Sequence, residues 1–378
     1  MKVLVLAMSR ILVVGSYDKL LINFRGALLQ EMVGAGHEVF AAAPGFDDSI
    51  VKKLNEMGVE YVSVPIDRAG VNPIRDALSI VKIAKKIKTI KPDIVLSYNA
   101  KPVIYVSVSA KLAKVKNIYS IITGLGYGFI GKGYSRFLIN FIMVKLYKIG
   151  LFFNNKVFFQ NNDDLNLFVS LGILSSKDKA VLVAGSGVNV DYFTEKPLPE
   201  SFSFMMISRL LVDKGVREYA SAASIVKKKY PEIVFKLVGW LDVNPSAVSK
   251  KELDSWIESG DIIYLGRLED VRPALESATV YVLPSYREGM PRTVLEAMAM
   301  GRPIITTDAP GCRETVVDGC NGYLVPVKDI PSLVGAMEKM INDYPGVIRM
   351  GAKSRDIAVD NFSVDKVNSA IMRTMGIC

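Results

Sequence analysis

The sequence predicts an α/β protein made of two doubly wound, Rossmann-like halves in tandem. Three observations carry that expectation. Short β-rich apolar runs alternate with longer segments of helical period along the chain, the signature of parallel strands with crossover helices. The alternation starts afresh near residue 204 after a polar interruption. At 378 residues the chain is also long enough for two domains of ordinary size. Half of it is hydrophobic and 22% is charged, which fits a globular protein and excludes a disordered one.

In the first half the strands read Ile11–Val14, Glu38–Ala43, Tyr61–Pro65, Ile94–Ser97, Ile118–Thr123, Lys156–Phe159 and Ala180–Val183. Helical segments such as Ile22–Val33, Ala77–Lys88 and Val103–Lys114 lie between them. Val190–Ser201, rich in Pro, Glu and Asp, reads as a linker. The second half runs through Phe204–Ile207, Ile233–Val238, Ile262–Leu265, Val280–Leu283, Pro303–Thr306 and Gly322–Val325, and ends in helical stretches Pro345–Asn361 and Ser363–Met375. The expected division is therefore 1–195, rejoined by a terminal helix over 363–378, and 196–362. Open α/β sheets bind ligands at the carboxyl ends of their strands, so two such units imply a two-substrate cleft.

Composition removes whole classes of chemistry. The three cysteines, Cys312, Cys320 and Cys378, are not spaced as a C-x-x-C pair, so neither a disulfide framework nor a cysteine zinc site is expected, and a reducing cytosol is the natural compartment. The single histidine, His37, leaves no means to build a histidine metal site or a Ser-His-Asp triad. The net charge of +9 is one-sided: residues 1–195 hold 24 Lys and Arg against 15 Asp and Glu, whereas residues 196–378 hold 23 of each. A basic first half calls for an anionic partner: nucleic acid, an acidic membrane surface or a phosphate-bearing substrate. Met1–Met8 is apolar but too short for a secretory signal or a spanning helix. Arg136–Phe153 has the length of a span, yet Lys145 and Lys148 inside it favour an amphipathic helix, packed on the sheet or lying on lipid.

The segment Tyr281–Val316 concentrates the chemistry. A strand ends at Leu283–Pro284, a loop carries Glu288 and Gly289, and a helix runs from about Pro291 to Met300. Glu288 precedes that helix and Glu296 lies on its second turn, so both are expected to face one ligand across the helix N-terminus. Free amides and a positive dipole end there suit a diphosphate, and a neighbouring carboxylate accepts hydrogen bonds from ribose hydroxyls. A diphosphate held there needs its charge neutralised, by a metal on Asp-x-Asp or by fixed cations. The sequence has no Asp-x-Asp but places Arg209 and Lys214 after a strand, so no metal cofactor is expected.

The Glu-x7-Glu segment, the Ser208-Arg209-Leu210 and Lys214-Gly215 run, Gly185–Phe193 and Gly34–Val39 together resemble the retaining GT-B glycosyltransferases of sequence family 4, in order and spacing along nearly the whole chain. The resemblance implies a nucleotide-sugar donor on the second half. Arg209 and Lys214 would contact its diphosphate, Glu288 its sugar hydroxyls, and Glu296 its ribose. Gly289, Met290, Pro291 and Thr293 would meet the distal phosphate, Gly266, Arg267 and Leu268 would border the base, and Gly15 would approach the diphosphate. Many relatives carry a histidine where this chain has Thr123, ahead of Gly124, which excludes any mechanism needing that histidine. Ile22–Arg25, with Asn23 and Arg25 as acceptor-side candidates beside Thr123 and Gly124, together with Val71–Pro73 and Val238–Ser246, resembles a narrower group. Its members are bacterial α-1,3-N-acetylgalactosaminyltransferases that elongate undecaprenyl-diphosphate-linked N-acetylhexosamine in O-antigen and related assembly. UDP-GalNAc, a polyprenyl-diphosphate acceptor and the anionic cytoplasmic face of the inner membrane are the implied partners, with another UDP- or GDP-sugar as the alternative donor.

Two rival readings fail on residues. Gly126, Gly128 and Gly131 match a dinucleotide fingerprint, but from Lys132 to Asn162 there is no acid to hold a ribose about 20 positions on. Lys82, Lys85, Lys86 and Lys88 suggest nucleic acid, yet an amphipathic surface helix explains them and no nucleic-acid-binding motif accompanies them, so no nucleic-acid partner is expected.

Overall fold

The computed structural model describes residues 8–67, 73–125, 134–242 and 244–378. The residues before Met8, Val71–Asn72 and the Gly126–Gly131 fingerprint lie outside the described residues. The chain divides into two compact units, residues 1–186 with 366–378, and residues 187–365.

The first unit is a seven-stranded parallel sheet. Its strands are β1 (Arg10–Val14), β2 (Glu38–Ala43), β3 (Val59–Ser63), β4 (Ile94–Tyr98), β5 (Asn117–Ile122), β6 (Lys156–Phe159) and β7 (Ala180–Leu182), in the order β3-β2-β1-β4-β5-β6-β7. Strand β3 sits two residues earlier than the sequence suggests, because its pairing with β2 runs from Val39↔Val59 to Ala43↔Ser63. The helices are α1 (Asp18–Gly34), α2 (Asp48–Glu56), α3 (Pro73–Ile90), α4 (Ala100–Leu112), α5 (Tyr134–Phe152) and α6 (Asn162–Ser170). Helix α4 begins three residues before its expected start, since Pro102 is tolerated in a first turn that makes no use of its missing N–H.

Alternating strand residues feed two cores. On one face Leu12, Val14, Val95 and Phe159 pack under α3, α4, α5 and α6 through Ile83, Val106, Tyr147 and Phe168. On the other, Ile11, Val13, Leu96 and Phe158 pack under α1 and α2, and under the chain's last residues, Val367–Ile377. His37 fastens that last segment. Its Nδ1 accepts from the Ser9 amide at 3.2 Å, so its Nε2 carries the proton and donates to the Ile377 carbonyl at 3.1 Å.

The second unit is a six-stranded parallel sheet of β8 (Ser203–Ile207), β9 (Val234–Val238), β10 (Ile263–Tyr264), β11 (Val280–Leu283), β12 (Ile304–Thr307) and β13 (Gly322–Val325), ordered β10-β9-β8-β11-β12-β13. Its helices are α7 (Val216–Lys229), α8 (Lys250–Glu258), α9 (Arg272–Glu276), α10 (Arg292–Ala299), α11 (Ile330–Asn342) and α12 (Tyr344–Phe362), with α13 (Val364–Met375) leading back to the first unit.

The boundary at 186/187 precedes the expected 195/196, for a reason the side chains show. Arg355 donates to the carbonyls of Val190, Phe193 and Ala299 at 3.1, 3.0 and 2.7 Å. Arg302, fully buried, donates to Lys196, Pro197 and Ala278 at 2.9, 3.0 and 3.0 Å. Two arginines thus hold the polar segment to the second unit.

Candidate functional site

In the second sheet β8 and β11 are neighbours, while the chain winds from β8 toward β9 on one side and from β11 toward β12 on the other. That reversal is a topological switch point, where the loops leaving two adjacent strands diverge and open a crevice. The loops that leave β8 and β11 are Ser208–Lys214 and Pro284–Pro291, which carry the expected functional residues.

Close backbone packing joins the two loops. Gly215 adopts a left-handed φ of +74°, and a Cβ there would stand 2.1 Å from the Pro284 carbonyl oxygen, so only glycine lets the turn close. The Tyr286 amide and the Ser285 hydroxyl both donate to the Asp213 carbonyl, at 2.9 and 3.1 Å. Lys214 is thereby brought to Glu288, with Nζ 2.5 Å from Oε1 and side chains only 18% and 14% exposed. A compact ammonium paired with a carboxylate at a switch point can present both a cation to a phosphate oxygen and an acceptor to sugar hydroxyls.

Arg209 follows another partner. Its guanidinium reaches Asp242 at 3.4 Å and is 47% exposed, an ion pair open enough to be exchanged for a ligand. Asp242 was not singled out by sequence, although it lies in the Val238–Ser246 run. In the same edge, the Gly239 amide donates to the Gly266 carbonyl at 2.8 Å, and the Arg267 guanidinium lies 5.0 Å over the ring of Trp240, itself 40% exposed. Half-buried Leu268 follows.

Helix α10 starts after Pro291, which caps it without a side-chain bond, and Gly289 and Met290 lead into that end. The buried Tyr281 hydroxyl stands 3.0 Å from the Ile207 carbonyl and 2.7 Å from the Thr293 hydroxyl, so it donates to the first and accepts from the second. Glu296 is 6% exposed and held by Arg292 at 2.8 Å. Burial raises its carboxyl above the ordinary value, with Arg292 pulling the other way. The two glutamates, expected on one ligand, therefore have separate partners: Glu288 faces Lys214 and Glu296 faces Arg292.

The first unit has its own switch point between β1 and β4. Gly15 follows β1 there, and the place of its missing Cβ is filled by Tyr98, whose hydroxyl would stand 2.4 Å away. Thr123 accepts from Asn99 Nδ2 at 3.1 Å, and the Ser16 hydroxyl donates to Asn99 Oδ1 at 3.0 Å, a chain across β1, β4 and β5. Gly124 follows with φ +111°. Asn23 and Arg25 are not brought together: Asn23 is exposed, whereas Arg25 is buried on the stripe of α1 that faces the sheet. Tyr98, Ser16 and Asn99 are further candidates that sequence reading missed. The signal was the Asn-Ala-Lys turn directly after a strand.

Two doubly wound parallel units, each with polar residues at its switch point, define the GT-B architecture. A family model described as "Glycosyl transferase 4-like" matches residues 12–161, and one described as "Glycosyl transferases group 1" matches residues 201–343. The chain is 29% identical over 335 residues to the N,N'-diacetylbacillosaminyl-diphospho-undecaprenol alpha-1,3-N-acetylgalactosaminyltransferase of Campylobacter jejuni, covering 85% of this chain and 86% of that one. It is 26% identical over 343 residues to the UDP-Gal:alpha-D-GlcNAc-diphosphoundecaprenol alpha-1,3-galactosyltransferase of Escherichia coli, with the same coverage of 85% and 86%. Among solved structures, the Anabaena protein HepE in complex with UDP shares the fold with a TM-score of 0.76 at 17% identity, over 98% of this chain and 100% of that one. The chain belongs to the GT-B glycosyltransferases of the family-4 type.

Proposed function

We propose that the protein is a retaining, metal-independent transferase that moves a hexosamine, GalNAc from UDP-GalNAc, onto a polyprenyl-diphosphate-linked sugar in surface-polysaccharide assembly such as that of O-antigen. The observation that carries this reading is the pair of relatives matched over 85% of this chain and 86% of their own. Their names agree on a diphosphoundecaprenol-linked acceptor and an α-1,3 linkage, and differ in the sugar moved. The acceptor class is therefore better supported than the donor sugar.

In the mechanism the donor diphosphate lies across the switch point of the second sheet. Lys214 turns from Glu288, and Arg209 from Asp242, to neutralise it as charge develops. Glu288 then accepts from sugar hydroxyls, Glu296 from the ribose, and the amides near Gly289–Thr293 cradle the distal phosphate. Trp240 and Gly266–Leu268 flank the base. The acceptor hydroxyl attacks the anomeric carbon on the face the diphosphate leaves. A new carbon–oxygen bond forms as the bond to phosphate breaks, and the acceptor's proton passes to a diphosphate oxygen. Thr123 and Gly124 lie on the acceptor's side of the reaction.

An anionic membrane surface is the second partner, supported by one helical layer. Helices α3, α4 and α5 carry ten Lys and Arg and a single acid, Asp76, which Lys101 approaches at 3.8 Å. Their outer side exposes Leu78, Val81, Phe141, Ile149 and Phe152. Among the described residues no helix is long and apolar enough to cross a membrane. Apolar side chains between lysines suit adsorption to lipid headgroups on the cytoplasmic face of the inner membrane.

The test is a donor screen of UDP-GalNAc, UDP-GlcNAc, UDP-Gal, GDP-mannose and GDP-fucose against a synthetic polyprenyl-diphosphate-GlcNAc acceptor. Transfer from UDP-GalNAc with an α-linked product is expected. Transfer from a different donor replaces the sugar assignment, and no transfer from any donor overturns the acceptor class.

A further inference from the structure

Arg25 occupies a position built for an apolar side chain. The buried stripe of α1 runs Leu21, Arg25, Leu28, Leu29 and Met32, and Arg25 is 2% exposed within it. Its guanidinium lies 5.4 Å over the ring of Tyr98, the last residue of β4. No carboxylate among the described residues acts on it, and both its Nε and the Tyr98 hydroxyl are buried without a hydrogen-bond partner. Burial lowers the guanidinium's pKa to about 10, so it remains a cation at neutral pH.

Arg302 shows how the same protein treats a structural buried arginine. It too is held near a pKa of about 10 by burial, yet three carbonyls accept its protons. A buried cation that meets only a ring face among the described residues is costly to keep and calls for an anion. The place fits one. The Tyr98 hydroxyl abuts Gly15 at the carboxyl edge of β1 and β4, the first unit's switch point, and Ser16, next in the chain, is already part-exposed.

We infer that Arg25 and the Tyr98 hydroxyl form an oxyanion subsite at the carboxyl edge of the first sheet, and that its ligand is a phosphate oxygen of a diphosphate. Ligation fills both unpartnered donors at once and opens the Ser16–Asn99 hydrogen bond as the Gly15–Tyr17 turn moves aside. A diphosphate reaches this protein from two sources, the lipid-linked acceptor and the nucleotide donor. The assignment to the acceptor rests on the proposed function; the anion site itself does not.

Thermal melting of the full-length protein carrying Arg209→Ala and Lys214→Ala, which removes both cations at the second unit's switch point, is measured with and without inorganic pyrophosphate. Pyrophosphate is expected to raise the Tm, and adding Arg25→Met is expected to abolish that rise. Without ligand, Arg25→Met should melt no lower than its parent, since an unpartnered charge has gone. Should Arg25→Met not fold, Tyr98→Phe keeps the ring and deletes only the hydroxyl, and is expected to diminish the pyrophosphate shift. In the otherwise wild-type enzyme, Arg25→Met should raise the acceptor KM about tenfold or more while leaving the donor KM alone, with partial rescue by Arg25→Lys. A rise in the donor KM instead keeps the site and assigns it to the nucleotide. Undiminished stabilisation by pyrophosphate in Arg25→Met or Tyr98→Phe overturns the site. A pyrophosphate site that depends on Arg25, in an enzyme that ignores every lipid-diphosphate acceptor, leaves the site standing and refutes the proposed acceptor class.

Discussion

Lys214 and Glu288 lie 74 positions apart and meet because two loops leave adjacent strands. Without its cation the leaving diphosphate loses charge compensation where it peaks, so Lys214→Ala should lower kcat about a hundredfold with a smaller change in donor KM. Steady-state kinetics with saturating acceptor checks this, and an unchanged kcat would move the diphosphate elsewhere. Gly215 holds the turn that aims Lys214. Gly215→Ala forces a Cβ against the Pro284 carbonyl in a left-handed backbone, so chemical denaturation should show a loss of about 1–3 kcal/mol. Arg209 and Lys214 were legible from their position after β8, and Glu288 from its position after β11. Asp242 and Tyr98 were not, because their roles come from contacts between segments that spacing along the chain does not join.

At the scale of elements, α10 shows how local pattern and burial diverge. An acid on the second turn of a helix reads as a solvated residue or a ligand contact; here Glu296 is nearly enclosed and answered by Arg292 one turn earlier. Because burial raises its carboxyl above 4.5, folding favours the protonated form. Its stabilising contribution is full below that value and is lost as pH rises through the folded one. Glu296→Gln, which stays neutral and keeps an oxygen for Arg292, should therefore gain stability over the wild type near pH 7, with the gap closing toward pH 4. Melting curves across that range test it, and a constant gap would mean that the carboxyl does not titrate there. The same substitution should raise the donor KM if Glu296 holds the ribose. Helix α1 teaches the converse. A charge at position 25 suggests a surface, yet the spacing from Leu21 to Leu28 and Met32 already put it on the buried stripe.

For the whole molecule, the proposed membrane surface combines the basic excess of the first half with its exposed apolar helix residues. Vesicles containing anionic lipid should sediment the full-length protein at low salt and release much of it at high salt, since exposed charges are screened beyond about 10 Å at 0.1 M. A fraction retained at high salt would mark apolar contacts from Phe141, Ile149 or Phe152. Replacing Lys82, Lys85 and Lys86 with Gln should weaken the low-salt binding; equal sedimentation by that variant would assign the charge to another task. Under the proposed mechanism, in which two fixed cations stand in for a metal, turnover should persist in EDTA. Full loss of activity, restored by magnesium or manganese, would refute that.

The alternation of strands and helices, the restart at β8 and the placement of cations and glutamates after strands were determined by the sequence alone, because local periodicity and turn residues encode them directly. Boundaries shifted where pairing decided them, as at β3, which follows the register of β2 rather than its own apolar run. Only the tertiary structure assigned residues 187–195 to the second unit, through the Val190 and Phe193 carbonyls that Arg355 reaches from 165 and 162 positions away. It alone decided which charges are paired, as with Lys214, and which are buried without an answer, as with Arg25. Pairing and burial depend on which distant segments pack together, and composition and spacing carry no record of that.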